Sequence, residues 1–355
     1  MAKKKILFLG ETYRADAITW MNGLKEFGDF EIVTWELKNS SNGFQRAKRL
    51  LEILTAILTI KSIVKKYSPD MVIAERTTSY GFLASICGVK PIAIAQQGIT
   101  DLWPTNSPLV FLKKIMQNYA FKKADLIHAW GVAMAVNIEK HDIDMSKVMV
   151  LPKGINVATF RFETTNDANK INAVVTRSLE PEYKHDLILK AFSTLKKRNI
   201  PFQLTIVGDG SQFKNLKSLT KTLNIENEVV FTRRINNNQI PDFLVAANFY
   251  ISTPETEGAS ASLFEAMACG CFPIVSDLPG NRSWIQQQEN GILVEITDES
   301  SLVNALEWSF KESEFTKKAI LQNRIFIEEN VNYKINMTKI AMAYHELISS
   351  KKQIS

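Results

Sequence analysis

The sequence predicts an α/β protein with two domains, each built around a parallel, doubly wound sheet. The chain has 355 residues, 45% of them hydrophobic, which is too long for one ordinary core and suits two domains of about 150 to 180 residues. Short apolar runs alternate with helical patterns along both halves of the chain. Strands that alternate with helices form parallel sheets, whose ligands lie beyond the carboxyl ends of the strands.

The first series of apolar runs occupies residues 1–160, our predicted first domain. Six runs are short and almost continuously apolar, as buried parallel strands are, and they cover 6–9, 31–35, 71–74, 92–95, 126–129 and 148–151. Apolar residues at helical spacing predict helices at 15–27, 44–67 and 108–123. A polar stretch at 163–169 then predicts a linker.

The second series gives our predicted second domain, residues 161–334. Its predicted strands cover 171–176, 204–207, 229–232, 249–252, 272–276 and 290–294. Helices are predicted at 185–197, after Gly210, at 236–247, around 263–267 with Gly270 closing it, and at 300–310. A last helix is predicted beyond this domain, at 335–349. Gly208-Asp209-Gly210 lacks the third glycine and the later acidic residue of a dinucleotide fingerprint, so we do not predict a dinucleotide cofactor.

The charge and the cysteine content of the chain indicate where in the cell the protein is located. The net charge of +6 is concentrated in residues 1–155, which hold 21 Lys and Arg against 14 Asp and Glu. The three cysteines have no zinc or redox spacing and no secretory signal is recognisable, so we expect a cytoplasmic protein in a reducing compartment. The lysine-flanked apolar helices 44–67 and 108–123 are either buried or also in contact with the inner face of an anionic membrane. No nucleic-acid partner is expected.

The segment from Pro254 to Gly270 holds the most informative pattern. It joins the end of an apolar strand to the start of a helix, so Glu257 falls in the turn and Glu265 on the helix. The first free N–H groups of that helix, near Gly258, Ala259 and Ser260, favour an anion. Two carboxylates cannot themselves bind an anion, so we expect them to face hydroxyl groups of the ligand beside it. A pyrophosphate between two sugar rings is a ligand that presents such hydroxyl groups.

A family resemblance rests on this segment and on the strand that follows it. The residues concerned are Glu257, Glu265, Ala266, Met267, Ala268, Gly270, Pro273, Ile274, Val275, Ser276, Gly280 and Gly291. This set resembles the signature of family 4 of the retaining glycosyltransferases, which use nucleotide-sugar donors on the GT-B fold. The resemblance is specific over about 171–310. It implies two Rossmann-like domains that face a central cleft, with a last helix, 335–350, that packs back on the first domain.

The resemblance also implies roles for residues of the second domain. Arg177 and Lys184 match a pair of cations on the donor diphosphate, although their spacing is seven where relatives commonly have five. Glu257, Arg177 and Lys184 are the implied catalytic residues. The implied donor-binding residues are Glu265, Gly258, Ala259, Ser260, Gly208, Arg233 and, from the first domain, Gly10. The nucleotide is expected to be UDP or GDP, and neither a metal nor another cofactor is required.

Acceptor contacts are predicted where the strands of the first domain end. These positions hold Glu75, Arg76, Gln97, Asp101 and His128. Two of the loops depart from the family pattern, because Gly10 is followed by Glu11 instead of a second glycine and Gln97 stands where relatives often have a histidine. His128 is either a packed residue at a strand end or a catalytic one.

The function that follows is transfer of a sugar from a nucleotide-diphosphate sugar to a glycan or lipid-linked acceptor in surface polysaccharide synthesis. Two rival functions remain at this point. An epimerase of the same fold would turn over the sugar of the donor without an acceptor. A noncatalytic partner would bind a nucleotide sugar and regulate another transferase.

Overall fold

The computed structural model describes residues 3–38, 45–102, 106–163 and 169–352. The chain forms two compact units, the first made of Met1–Lys153 with Tyr333–Ser355 and the second of Gly154–Asn332. The boundary therefore lies seven residues before the predicted one, and residues 164–168 of the predicted linker lie outside the described residues.

The first unit contains six strands and six helices among its described residues. The strands are β1 (Lys5–Leu9), β2 (Glu31–Trp35), β3 (Met71–Ala74), β4 (Ile92–Gln96), β5 (Leu126–Ala129) and β6 (Val148–Val150). The helices are α1 (Ala15–Gly28), α2 (Gln45–Tyr67), α3 (Ser79–Ile86), α4 (Val110–Lys123), α5 (Val132–Glu139) and the last helix of the chain, α13 (Tyr333–Lys352).

The sheet of the first unit is parallel, with strand order β2-β1-β3-β4-β5-β6. The order reverses between β1 and β3, so the loops after these two strands meet at one edge. The last helix packs on α1, where the Tyr333 hydroxyl donates a hydrogen bond to the Thr19 carbonyl over 2.8 Å and His345 Nε2 contacts the Gly28 carbonyl at 2.8 Å.

The second unit has a sheet of the same kind. Its strands are β7 (Ile171–Val175), β8 (Phe202–Val207), β9 (Val229–Arg233), β10 (Phe249–Ser252), β11 (Phe272–Ser276) and β12 (Ile292–Val294). Its helices are α6 (His185–Lys197), α7 (Phe213–Thr222), α8 (Ile240–Val245), α9 (Ala261–Cys269), α10 (Pro279–Arg282), α11 (Glu299–Lys311) and α12 (Ser313–Asn330).

The strand order of the second sheet is β12-β11-β10-β7-β8-β9, again with parallel pairing. Apolar residues fill the space on both faces of this sheet, because β7, β8, β10, β11 and β12 are mostly buried, whereas the edge strand β9 is partly exposed. The chain leaves β7 in one direction for β8 and β9, and returns to the other side of β7 with β10. The order therefore reverses between β7 and β10.

The two parallel sheets confirm the predicted fold class. The prediction omitted α3, α5, α10 and α12, and it gave one helix at 236–247 where the structure has a 3₁₀ turn (Asn237–Gln239) followed by α8. α3 and α5 have only eight residues each, and apolar residues dominate both, so neither shows a polar face that would mark a helix.

Candidate active site

The candidate site of the second unit lies where its strand order reverses. β7 and β10 are neighbours in the sheet, with Tyr250 opposite Val174. Arg177 follows β7, and Ser252 ends β10, so both stand at the carboxyl edge of the sheet. This is the position at which open parallel sheets bind their ligands.

Arg177 is the centre of a buried polar cluster. Its Nε donates a hydrogen bond to Ser252 Oγ over 3.1 Å, and its Nη2 contacts both the Glu257 carboxylate and Ser260 Oγ. The side chains of Arg177 and Glu257 are each only 14% exposed. Burial opposes the charge of Arg177, but the neighbouring Tyr250 and Glu257 outweigh burial and raise its pKa above the ordinary value.

The start of α9 lies directly against this arginine. Ser260 is the N-cap of α9, and its Oγ accepts a hydrogen bond from the Leu263 N–H over 3.3 Å. Gly258 and Ala259 form the turn before it and are half-buried. The turn packs closely on Gly280, where an added Cβ would lie 2.3 Å from the Glu257 carbonyl oxygen and 2.6 Å from that of Gly258. A cation and a positive helix end therefore share one small volume.

Glu265 lies on the second turn of α9 and is half-buried. Burial raises the pKa of its carboxyl to about 7, although attraction to Arg177 acts in the opposite direction. No described residue donates a hydrogen bond to this carboxyl. The site thus holds an acidic group with unused acceptor capacity that changes charge close to neutral pH.

Lys184 lies near the same cluster but has a different partner. Its ammonium group forms an ion pair with Glu255 at 2.7 Å, and this contact raises the pKa of Lys184. The two loops that carry them are joined, because the Glu255 N–H donates to the Glu182 carbonyl over 2.8 Å and Thr253 Oγ1 donates to the Tyr183 carbonyl over 3.0 Å. The structure therefore brings Arg177 and Lys184 to adjoining loops, each paired with its own glutamate.

Gly208 follows β8 and Arg233 ends β9, so both lie at the same carboxyl edge of the sheet. Gly208 has a φ of 155°, and an added Cβ would lie 2.2 Å from the Arg177 carbonyl oxygen, so only glycine fits between β8 and the loop after β7. Arg233 Nη2 forms an ion pair with Asp209 Oδ2 at 2.9 Å, and its guanidinium lies 4.2 Å from the centre of the Phe213 ring. Arg233 thus covers an aromatic ring beside the Gly208 turn.

The other end of α9 is held by Arg324 of α12. Arg324 Nη1 donates hydrogen bonds to the Ala268 carbonyl over 3.0 Å and to the Phe160 carbonyl over 2.7 Å. Its Nη2 donates to the Val157 carbonyl over 3.2 Å. A cation at the carboxyl end of a helix satisfies carbonyl groups that the helix leaves unpaired.

The first unit has a second polar cluster, at the reversal between β1 and β3. Gly10 follows β1 and lies so close to Glu75 that an added Cβ would be 2.6 Å from the Glu75 Cβ. Glu75 Oε2 accepts a hydrogen bond from the Glu11 N–H over 2.6 Å. The Glu11 carboxylate in turn accepts hydrogen bonds from Arg76 at 2.8 Å, from Arg14 at 3.2 Å and from Arg49 at 3.4 Å.

The remaining predicted acceptor residues differ in their surroundings. Asp101 Oδ2 accepts hydrogen bonds from the N–H and Oγ1 of Thr77 at 2.7 and 2.8 Å, and its Oδ1 accepts one from the Gln97 N–H at 3.2 Å. These contacts tie three loop positions together. Gln97 Nε2 is buried without a hydrogen-bond partner in the described chain.

His128 lies in the core of the first unit. It is 0% exposed, its ring stacks on Trp130 with 4.9 Å between centroids, and its Nε2 lies 2.6 Å from the Tyr344 hydroxyl. Burial lowers the pKa of His128 to about 3, so the ring is neutral at physiological pH. Of the two alternatives for His128, the structure has the packed residue, and the side chain offers no surface to an acceptor.

Several residues of these clusters were absent from the predicted site. They are Ser252, Glu255 and Asp209 in the second unit, and Glu11, Arg14 and Arg49 in the first. Ser252 ends a predicted strand, which is a usable signal, because carboxyl strand ends form the ligand edge. The arginine contacts come from separate elements that only the folded chain brings together.

Two kinds of feature are missing from the described residues. No group of three or more His, Cys, Asp or Glu side chains there is arranged to hold a metal ion. No helix in the same residues is long and apolar enough to cross a membrane.

Comparison with known families assigns each half of the chain. A family model for group 1 glycosyl transferases matches residues 156–325, and a model for glycosyl transferase 4-like domains matches residues 5–130. The two matches fall on the second and first units respectively.

Individual relatives agree with these family matches. A glycosyltransferase of Haemophilus influenzae described as uncharacterised is 32% identical over 146 residues, which are 41% of this chain and 40% of that protein. N-acetylgalactosamine-N,N'-diacetylbacillosaminyl-diphospho-undecaprenol 4-alpha-N-acetylgalactosaminyltransferase of Campylobacter jejuni is 23% identical over 282 residues, covering 78% of this chain and 75% of the relative. The chain thus spans less than half of the first relative and three quarters of the second.

Solved structures share the fold across the whole chain. Anabaena HepE, crystallised with UDP and glucose, superposes with a TM-score of 0.76 at 16% identity, covering 97% of this chain and 100% of that one. Sucrose-phosphate synthase of Thermosynechococcus elongatus gives a TM-score of 0.80 at 14% identity, covering 98% and 100%. With these matches, the chain is a glycosyltransferase of the GT-B fold. Within that class it belongs to the family 4-like glycosyltransferases, which confirms the predicted family.

Proposed function

We propose that the protein transfers a sugar, with retention of anomeric configuration, from a UDP- or GDP-sugar to a lipid-linked or growing glycan of a surface polysaccharide. The observation that carries the proposal is the contact between buried Arg177 and the N-cap of α9. Anabaena HepE was crystallised with UDP and glucose, and the Campylobacter jejuni relative is named for a diphospho-undecaprenol acceptor, and both support these substrate classes.

Electrostatics explains why a diphosphate suits this contact. Arg177 and the N-terminus of α9 both carry positive charge, and Glu257 offsets only part of it. A diphosphate that binds there accepts hydrogen bonds from the guanidinium and from the free N–H groups near Gly258 to Ser260. The same groups stabilise the negative charge that develops on the leaving nucleotide as the glycosidic bond loosens. Lys184 adds a second cation when it exchanges Glu255 for phosphate.

The two glutamates have different roles in this proposal. Glu265, with its unpaired carboxyl, accepts hydrogen bonds from the ribose hydroxyls, which are the same in the ground and transition states. Glu257 gives up Arg177 to the diphosphate and faces the transferring sugar, where charge develops. Glu265→Ala should therefore raise the donor KM, by a loss of roughly 1.5 to 3 kcal/mol of binding, whereas Glu257→Ala should mainly lower kcat. Donor titrations on both variants decide between the roles.

The experiment that tests the proposed function begins with a thermal-shift panel of UDP-, GDP- and ADP-sugars, since a ligand stabilises the fold that binds it. Turnover is then compared between the wild-type protein, Arg177→Ala and Arg198→Ala. Arg198 follows α6 and pairs with Glu307 at 2.6 Å, so its variant removes the same charge away from the carboxyl edge of the sheet. We expect a large loss of kcat for Arg177→Ala alone. Equal turnover in all three proteins would refute the site, and sugar turnover without acceptor would favour the epimerase.

The proposed acceptor brings the protein to a membrane. Helices α2 and α4 both pack on α3, and each keeps large apolar side chains in solvent. We define the apolar patch by these residues, which are Leu51, Leu58, Phe111, Leu112, Ile115 and Tyr119. Exposed lysines, among them Lys65, Lys114 and Lys122, lie on the same two helices. Apolar residues flanked by lysines suit the interface of an anionic bilayer, where each basic residue contributes about 1 kcal/mol.

Vesicle co-sedimentation tests this docking. Wild-type protein should pellet with anionic vesicles at low salt and much less with neutral ones. Phe111→Ser, which removes a side chain that is 75% exposed, should lower the bound fraction. Leu321→Ser is the matched control, because Leu321 is also exposed but lies on α12 of the second unit. Equal recovery with neutral and anionic vesicles would indicate a soluble acceptor.

A further inference from the structure

Three arginines of the first unit converge on one carboxylate, that of Glu11. Arg14 precedes α1, Arg49 lies on α2, and Arg76 follows β3. Each contributes one N–H to Glu11, at 3.2, 3.4 and 2.8 Å respectively. The side chains form a gradient of access, since Arg49 is 12% exposed, Arg76 27% and Arg14 51%. We call this set the arginine cluster.

Positive charge exceeds negative charge in the arginine cluster. Glu11 supplies one negative charge, and although its burial opposes this, the attraction of Arg76 and Arg14 keeps its pKa below the ordinary value. Glu75 lies behind it with its pKa raised by burial, so that two carboxyl groups face three guanidinium groups. Among the described residues, Arg14 and Arg76 each donate one of their five N–H groups, to Glu11, so most of their donors are left for a further acceptor. The cluster therefore has capacity for a further anion.

The position of the cluster indicates a ligand and not only an internal brace. Glu11 follows β1, and Arg76 follows β3, the two strands between which the order of the sheet reverses. The corresponding point of the second sheet holds Arg177. Guanidinium groups bind phosphate oxygens in pairs of parallel hydrogen bonds, and phosphate carries more charge than carboxylate.

We propose that Arg14, Arg49 and Arg76 bind the phosphate groups of the acceptor, which displace the Glu11 carboxylate from them. The inference deepens the proposed function and rests on it, because it assigns the acceptor to the chemical class of prenyl diphosphates. Glu11 in this view is a competing anion that keeps the arginines ordered until the acceptor binds.

The test measures binding by calorimetry in an Arg177→Ala background, which removes the principal donor-site cation from the titration. Geranyl diphosphate and inorganic pyrophosphate are the two probes. Arg76→Ala should weaken geranyl diphosphate binding roughly 10- to 100-fold, as expected for a lost charge-assisted contact. Glu11→Gln should tighten it, because the competing charge is gone. Lys90→Ala is the control. Lys90 precedes β4 and pairs with Asp125, so it lies at the amino ends of the strands, away from the arginine cluster.

Arg76→Ala should weaken geranyl diphosphate binding and Glu11→Gln should tighten it, and these opposite effects distinguish a binding site from a purely structural network. Weaker binding in Glu11→Gln than in the parent protein, or unchanged binding in Arg76→Ala, would overturn the proposal. Arg14→Ala, at the most exposed arginine, repeats the measurement if Arg76→Ala does not fold. Tighter binding of geranyl diphosphate than of pyrophosphate supports a lipid-linked acceptor, whereas equal or weaker binding overturns that part. The donor panel tests nucleotide-sugar binding in wild-type protein, so either failure is seen independently.

Discussion

The carboxyl of Glu265 should make the protein less stable as pH rises, which is the opposite of the usual effect of a carboxylate. Its pKa is raised by burial from 4.5 to about 7 in the folded chain. Between these two values the folded protein holds a proton that the unfolded chain has released. The free energy of unfolding therefore falls as pH rises through this interval, and the stability present below pH 4.5 is lost by about pH 7.

The magnitude follows from the interval between the two pKa values. At about 1.4 kcal/mol per pH unit, 4.5 to about 7 corresponds to roughly 3 kcal/mol. Glu265→Gln keeps the shape of the side chain and cannot ionise, so it removes this loss. The variant should exceed the wild-type protein in stability by under about 1 kcal/mol at pH 5 and by about 3 kcal/mol at pH 8.

Urea unfolding followed by circular dichroism at pH 5 and pH 8 measures this difference. Glu226→Gln is the control, because Glu226 is exposed on the surface of the same unit. A difference between wild type and Glu265→Gln that is the same at both pH values would show that the carboxyl is not held in a desolvated position. The same variant should bind the donor less tightly, so stability and donor affinity should change in opposite directions.

Three further predictions concern the two units. Gly280→Ala should lower the melting temperature and raise the donor KM, because its Cβ would meet backbone at 2.3 Å; a variant with both values unchanged contradicts the packing. Tyr344→Phe should lower the free energy of unfolding in urea by about 1 to 3 kcal/mol, since it leaves His128 Nε2 buried without a partner. We also expect transfer to be metal-independent, so turnover in saturating chelator should equal that with magnesium, and loss of most turnover would refute this.

The sequence predicted the sheets better than it predicted the contacts at their edges. Strands such as β3 and β4 are buried on both faces, so they are visible as unbroken apolar runs. The order of the strands is a property of the folded chain, and it decides which loops meet. Lys184 shows the consequence, because its pairing with Glu255 depends on β10 lying beside β7. The turn that holds Glu257 could be predicted, because the end of its strand, the turn and the start of the helix are consecutive in the chain.

Helix α9 is fastened at both ends, through Ser260 to Arg177 and through Ala268 to Arg324. A helix of nine residues has little order of its own in water, so these two arginines supply most of the constraint that fixes its direction. Ligand groups that meet α9 then encounter amides and a carboxyl whose freedom was already lost during folding. The entropy lost in ordering the site therefore lowers the free energy of unfolding of the protein. Ligand binding does not lose this entropy again, so more of the contact energy appears as affinity.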